Sequence, residues 1–105
     1  MKNVEIFVWK WRRQSGLIDA CFLTKAAAYQ DEGQDDEEIC DHAFRIFNAP
    51  EEYLLKEEKE ILGDYHRNFP SLSVDDFVKV GENCFRCASV GWEKVESIPE
   101  RTQKN

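Results

Sequence analysis

Residues 3–11, NVEIFVWKW, alternate between outward and inward positions as a β-strand requires. The alternation separates two apolar sets: Val4, Ile6 and Val8 on one face, and Phe7, Trp9 and Trp11 on the other. Because both faces are apolar, this strand is expected to be covered on both sides over part of its length.

A second strand is predicted directly after the first. Ser15-Gly16 marks a turn, and LIDACFLT (17–24) pairs back on residues 3–11 as a hairpin. KAAAYQ (25–30) has helical propensity, so residues 17–24 themselves stay open between strand and helix.

The first helix follows a polar loop, DEGQDDEE (31–38), with Asp35 or Asp36 as its N-cap. Acidic residues in its first turn favour the positive end of the helix dipole. Helical spacing gathers one apolar stripe, made of Ile39, Ala43, Ile46 and Phe47. The segment before Pro50 ends the helix, because a residue preceding proline is disfavoured in helical geometry.

A second helix is predicted from Pro50 to the stop signal at Gly63. Its apolar stripe is narrow and interrupted by glutamates, which is typical of a helix on the surface. Strand patterns return in SVDDFVKV (73–80) and continue, after a Gly81 turn, through residues 84–95 as one strand or two.

The order of elements predicts a small α+β domain over residues 1–95. It comprises an N-terminal strand or hairpin, two helices on one face of the sheet, and a C-terminal antiparallel hairpin. Residues 96–105 contain one apolar anchor, Ile98, and are expected to be a flexible tail.

Charge is distributed unevenly along the chain. The net charge is −7, but residues 31–64 alone hold thirteen acidic and three basic residues, a net of −10. Such a segment repels phosphate, so direct nucleic-acid binding is not expected, whereas a protein with a basic surface is attracted. The candidate partner-binding positions are Asp35, Asp36, Glu37, Glu38, Glu51, Glu52, Glu57 and Glu58. The alternative for this acidic face is ordinary solvation.

Composition sets the broad class. A chain of 105 residues that is 42% hydrophobic fits one folded domain. No apolar run is long enough to cross a bilayer and the N-terminus lacks a signal peptide, so no membrane association and a cytoplasmic location are expected. The absence of a glycine-rich phosphate loop, HExxH or GxSxG predicts no cofactor and no enzymatic activity.

The spacing Cys84-x-x-Cys87 raises the question of a metal or thiol site. Cys21, Cys40, His42 and His66 are the residues that could complete a zinc site. In a strand, however, residues three apart point to opposite faces, which favours two buried thiols in a reduced protein. A structural zinc module with Cys84 and Cys87, and an enzyme that pairs either thiol with His66, are kept as alternatives.

Trp92 is the candidate aromatic anchor for a partner. It follows Gly91 near the predicted end of a strand, and tryptophan is enriched at protein interfaces.

The C-terminal half resembles a family signature. SLSVDDFVKV, a short turn and CFRCASVGWEKV are similar to paired strands found in YodL-like domains of plasmids, phages and integrative elements. YHRNFPS and HAFRIFNAP resemble the segments that precede those strands, so the likeness covers about residues 41–95 and the N-terminal strand. Residues 12–36 depart from the shorter members. The matched positions are Ser71, Ser73, Asp75, Ser89, Gly91 and Trp92, which are interpreted as turn, cap and packing residues.

The resemblance implies an accessory protein of a bacterial mobile element and carries no catalytic residue. Combined with the acidic segment, it predicts a protein-binding inhibitor or modulator of a host nucleic-acid enzyme, of the antirestriction or anti-CRISPR type.

Overall fold

The computed structural model describes residues 1–14, 17–99 and 102–104. The strands are β1 (Lys2–Gln14), β2 (Leu17–Asp31), β3 (Phe77–Val80), β4 (Asn83–Cys87), β5 (Trp92–Val95) and β6 (Thr102–Lys104). The helices are α1 (Asp36–Asn48), α2 (Lys56–Leu62) and α3 (Tyr65–Asn68), with a 3₁₀ turn at Glu51–Tyr53.

The strands form one antiparallel sheet in the order β5-β4-β3-β1-β2-β6. β1 lies in the middle, with Val4 opposite Val80 and Ile6 opposite Val78. The expected α+β fold, with an N-terminal hairpin, helices on one face and a C-terminal hairpin, is confirmed. Residues 17–24, left open between strand and helix by the sequence, belong to β2.

The core lies between α1 and the sheet. The predicted apolar stripe of α1 is confirmed, since all four of its side chains are at most 1% exposed. They pack on the inward face of β1, where Val4, Ile6 and Val8 are fully buried. Asp35 caps α1 by accepting a hydrogen bond from the Glu37 N–H. Burial of this interlocking apolar set is the main stabilising contribution to the fold.

The helical propensity of residues 25–30 is overridden. This segment continues β2, with Ala27 opposite Ile6 and Lys25 opposite Phe7. The register shift between these two pairs accommodates an extra residue, Ala26, as a β-bulge. The alanines extend because β2 satisfies the backbone hydrogen bonds of the buried central strand, a gain that exceeds their small local preference for a helix.

The second helix predicted over residues 50–62 is shorter than expected, because its first half is a separate 3₁₀ turn. The 3₁₀ turn ends before Leu54, which is buried, and α2 begins anew at Lys56. Glu58 causes the restart, because its Oε1 accepts a hydrogen bond from the Leu55 N–H at 2.8 Å. Gly63, with a φ of 52°, ends α2 as expected, and the unpredicted helix α3 follows.

The segment predicted as a flexible tail contains a strand. Thr102–Lys104 forms β6, which pairs with residues 20–22 on the outer edge of β2. The chain therefore passes from β5 at one edge of the sheet to β6 at the other. The unpaired backbone groups along the edge of β2 provide the hydrogen bonds for this strand.

Candidate functional site

Most of the predicted acidic positions are exposed on the helical side. They are Asp35, Glu37, Glu38, Glu51, Glu52 and Glu57. None of these carboxylates forms an ion pair with another residue that the structure describes. A side with so many uncompensated carboxylates has a negative potential that attracts cations.

Asp36 has a structural role instead. Its carboxylate accepts hydrogen bonds from Lys2 Nζ at 2.6 Å and from Asn83 Nδ2 at 2.7 Å. These bonds, with Lys2 the largest contribution, lower the pKa of Asp36. The prediction that Asp36 belongs to the partner-binding face is corrected, because its carboxylate ties the start of α1 to β1 and β4.

Glu58 is also removed from the predicted binding face, since only 4% of it is exposed. Its Oε2 accepts from His42 Nε2 at 2.7 Å and from Arg45 Nε at 3.3 Å. Burial opposes the ionised form, but the bonds from Leu55, His42 and Arg45 outweigh it and lower the pKa of Glu58. Glu58 thus joins α2 to α1.

His42 extends this connection to the sheet. Its Nδ1 lies 2.7 Å from Asp31 Oδ2 at the end of β2, while Nε2 contacts Glu58. Desolvation disfavours the imidazolium, yet the two carboxylates prevail and raise the pKa of His42. Both ring nitrogens are committed to carboxylates, so this histidine is a structural clasp between β2, α1 and α2 and not a free general base.

We predict that the clasp makes stability depend on pH. The raised pKa of His42 adds stability below its unfolded value of 6.5, and this is lost as pH rises through the folded pKa. The lowered pKa of Glu58 adds stability above 4.5, and this is lost as pH falls through the folded pKa. Urea unfolding of the natural protein and His42→Gln should therefore differ most between these two values, and the difference should shrink as pH rises through the folded pKa of His42. A difference that is constant with pH would contradict the clasp.

Trp92 is partly buried and packs against the core, and its role as an aromatic anchor stays a prediction. Its indole Nε1 donates a hydrogen bond to Asp41 Oδ1 at 3.0 Å, and its ring packs edge-on against Phe44, with 6.5 Å between centroids. Phe44 itself is 41% exposed, and nearby Val90 is 89% exposed. Phe44 and Trp92 therefore form partly exposed apolar surface at this end of the sheet, beside the Asp41 carboxylate.

Sequence reasoning missed Asp41 and Phe44. The available signal was Phe44, a large apolar side chain outside the buried stripe of α1 and three residues after Asp41. What could not be read from the sequence is that β5 brings Trp92 against this part of α1.

The two cysteines of the CxxC motif face opposite sides of the sheet. Cys84 lines the cavity on the helix-free face with Phe7 and Ile98, whereas Cys87 lies in the cleft beside Phe44 and Trp92. Cys40, Cys84 and Cys87 are free thiols, and the side chain of Cys21 is outside the described residues.

The surroundings of the thiols on the helical side of the sheet disfavour their ionised, thiolate form. Burial is the main cause that raises the pKa of Cys40 to about 12, with Asp36 next. Burial also raises the pKa of Cys87, assisted by Asp76. A thiol with a raised pKa is a poor nucleophile at neutral pH.

His66 is not brought together with either thiol of the motif. It is exposed on α3 and packs edge-on against Tyr65, with ring centroids 5.2 Å apart. Among the described residues, no group of three or more His, Cys, Asp or Glu side chains is arranged to hold a metal ion. The geometry thus offers no support for the zinc and Cys/His alternatives.

The matched positions of the SLSVDD segment build a loop that packs on β4. Asp75 has a φ of 75° in the turn, and its carboxylate accepts from Arg86 at 2.6 Å. Asp76 is buried and accepts from the N–H groups of Ser73 and Trp9. Burial outweighs these bonds and raises the pKa of Asp76. Ser71 is exposed, while Ser89 and Gly91, the latter with a φ of 72°, line the Trp92 cleft.

The helix-free face of the sheet carries a cavity of about 670 Å³. Phe7 and Leu23 line it together with Ile98 and Pro99 from the segment after β5. The segment after β5 therefore lies beside Phe7 on the outward face of β1.

Comparisons with protein-family models, with curated proteins and with solved structures find no match. The likeness to YodL-like domains therefore stays a prediction. Across the described part of the chain, no helix has the length and apolar character needed to span a membrane.

Proposed function

We propose that this chain is a cytoplasmic protein-binding module, an accessory protein of a bacterial mobile element, which occupies the basic surface of a nucleic-acid enzyme. The observation that carries the proposal is the group of exposed, uncompensated carboxylates on the helical side, above all Glu37, Glu38 and Asp41 along α1. Spaced negative charges on a rigid helix compete with phosphates for a basic groove.

Hydrogen bonds within the protein give the proposal further support. Asp36 and Glu58 hold the helices in place, so the outward carboxylates of α1 are presented by a fixed scaffold. A preorganised charged surface loses less conformational entropy on binding than a mobile tail does. The uneven net charge of residues 31–64 adds long-range attraction for a basic partner.

A capture experiment tests this function. The natural protein and a variant carrying Glu37→Gln, Glu38→Gln and Asp41→Asn are immobilised and exposed to a bacterial lysate, and bound proteins are identified by mass spectrometry. We expect the natural protein to retain a nucleic-acid enzyme, and the variant to retain at least about tenfold less of it, because three charged contacts are removed. Added duplex DNA should release the captured enzyme by competing for its basic groove.

The matched control removes the same number of charges elsewhere. Glu32→Gln, Glu82→Gln and Glu96→Gln neutralise three exposed carboxylates outside the helices. Equal loss of capture in this control would mean that only total charge matters. Capture of the same proteins by all three baits would show that the acidic face is merely solvated.

A further inference from the structure

A small cleft of about 230 Å³ lies between α1 and the turn that joins β4 to β5. Phe44 and Trp92 line it, Asp41 lies at its edge, and Cys87, only 4% exposed, contributes to its lining from β4. The cleft is smaller than the pockets that hold drug-sized ligands or cofactors, which are about 300–1,000 Å³. Its size therefore suits a single side chain of a partner protein.

The aromatic pair gives the cleft a defined shape. The Phe44 and Trp92 rings are nearly perpendicular, at 82°, with 6.5 Å between their centroids. Trp92 is held in this position by its indole bond to Asp41 and by packing against the core. A fixed ring offers its π-face to a ligand without a further loss of rotamer freedom.

The Asp41 carboxylate gives the cleft a negative charge. Its Oδ1 accepts the Trp92 indole hydrogen, whereas Oδ2 has no hydrogen-bond partner among the described residues. Lys94, two residues after Trp92, interacts electrostatically with Asp36. The Asp41 carboxylate is thus free to accept a hydrogen bond from an incoming cation.

Aromatic walls beside an unpaired carboxylate match one kind of side chain best. The planar guanidinium of arginine stacks on aromatic rings and donates several hydrogen bonds to carboxylates, while its methylene stem packs on apolar surface. An anionic group would be repelled by Asp41, and a neutral amide could donate a hydrogen bond to it but would lack the attraction between opposite charges. The surrounding exposed carboxylates, Glu37 and Glu38 on the same helix, reinforce the selection of a cation.

We propose that the Asp41–Phe44–Trp92 cleft binds one arginine side chain of the partner protein. This inference rests on the proposed function and specifies where the acidic face makes its central contact. The arginine stem lies along the Trp92 ring, and its guanidinium donates to Asp41 Oδ2.

The test uses the intact protein and isolated side-chain analogues. N-acetyl-arginine amide is titrated while the indole Nε1–H resonance of Trp92, assigned with Trp92→Phe, is followed by NMR. We expect a saturable shift with a dissociation constant of the order of 1 to 10 mM, which is appropriate to one stacked ion pair. N-acetyl-citrulline amide, which keeps the shape but lacks the charge, should produce no saturable shift.

Asp41→Asn is the matched variant. Its amide oxygen can still accept the Trp92 hydrogen, so the cleft is retained, but arginine affinity should fall about tenfold with the loss of the charged acceptor. Equal binding of citrulline, tighter binding of N-acetyl-lysine amide than of arginine, or unchanged affinity in Asp41→Asn would overturn the assignment. A titration without a saturable shift would overturn it as well.

The two proposals fail in different ways. If the lysate experiment retains no nucleic-acid enzyme while the arginine titration saturates, the cleft stands and the proposed class of partner is wrong. If an enzyme is captured through the acidic face while arginine does not bind, the proposed function stands and the cleft assignment is wrong.

Discussion

Replacing Glu58 with alanine is expected to lower the free energy of unfolding by about 2–4 kcal/mol near neutral pH. The substitution removes the acceptor for the Leu55 N–H, for His42 and for the Arg45 guanidinium. It also leaves Asp31 and His42 without the group that joins them to α2. Urea unfolding followed by far-UV circular dichroism measures the change.

Glu57→Ala is the matched control, since Glu57 precedes Glu58 on the same helix but is exposed. Its effect should stay within about 0.5 kcal/mol. Glu58→Gln should fall between the two variants, because the amide retains an acceptor oxygen but not the charge. If Glu58→Ala were as stable as Glu57→Ala, the buried connection between the helices would contribute nothing to the fold.

The second large effect is expected from Phe47→Ala, at about 3–5 kcal/mol. Phe47 is fully buried, and its ring lies 4.6 Å from that of Tyr65 and 6.0 Å from that of Tyr29, measured between centroids. Removal of the ring would therefore leave a cavity where α1 packs against α3 and β2. Because small domains are stable by only about 5–15 kcal/mol, such a loss leaves the fold marginal.

Phe44→Ala offers a control on the same helix and with the same change in size. Phe44 is 41% exposed and contacts Trp92 at the surface, so its loss should cost no more than about 1 kcal/mol. The comparison is made by urea unfolding at one pH. Equal destabilisation by the two substitutions would show that the core does not centre on Phe47.

The pattern of apolar residues was sufficient to predict the strands and helices that have one strongly apolar side. The alternation around Val4, Ile6 and Val8 predicted a strand, and the spacing of Ile39 to Phe47 predicted α1 together with its buried stripe. These predictions succeed because the period of apolar residues reflects burial directly. The same logic placed Cys84 and Cys87 on opposite faces of a strand.

Local propensity did not predict the secondary structure of segments whose conformation depends on contacts with distant parts of the chain. The alanines of β2 are extended because they pair with β1, and the helix predicted from Pro50 is broken because Glu58 caps a new start and reaches His42. Glu58 and Glu57 are indistinguishable in the sequence as members of one acidic run. Only the packing of α2 on α1 buries one of them and leaves the other in solvent.

The same distinction between local pattern and distant contacts applies to the candidate site. The sequence by itself determined the fold class, the acidic character of residues 31–64 and the presence of an aromatic residue at position 92, because composition and periodicity are properties of the chain. Only the tertiary structure decided which carboxylates are free and that Asp41 and Phe44 meet Trp92, fifty-one residues from Asp41. The physical reason is that β5 reaches α1 through sheet pairing, a contact that no local preference of the sequence encodes.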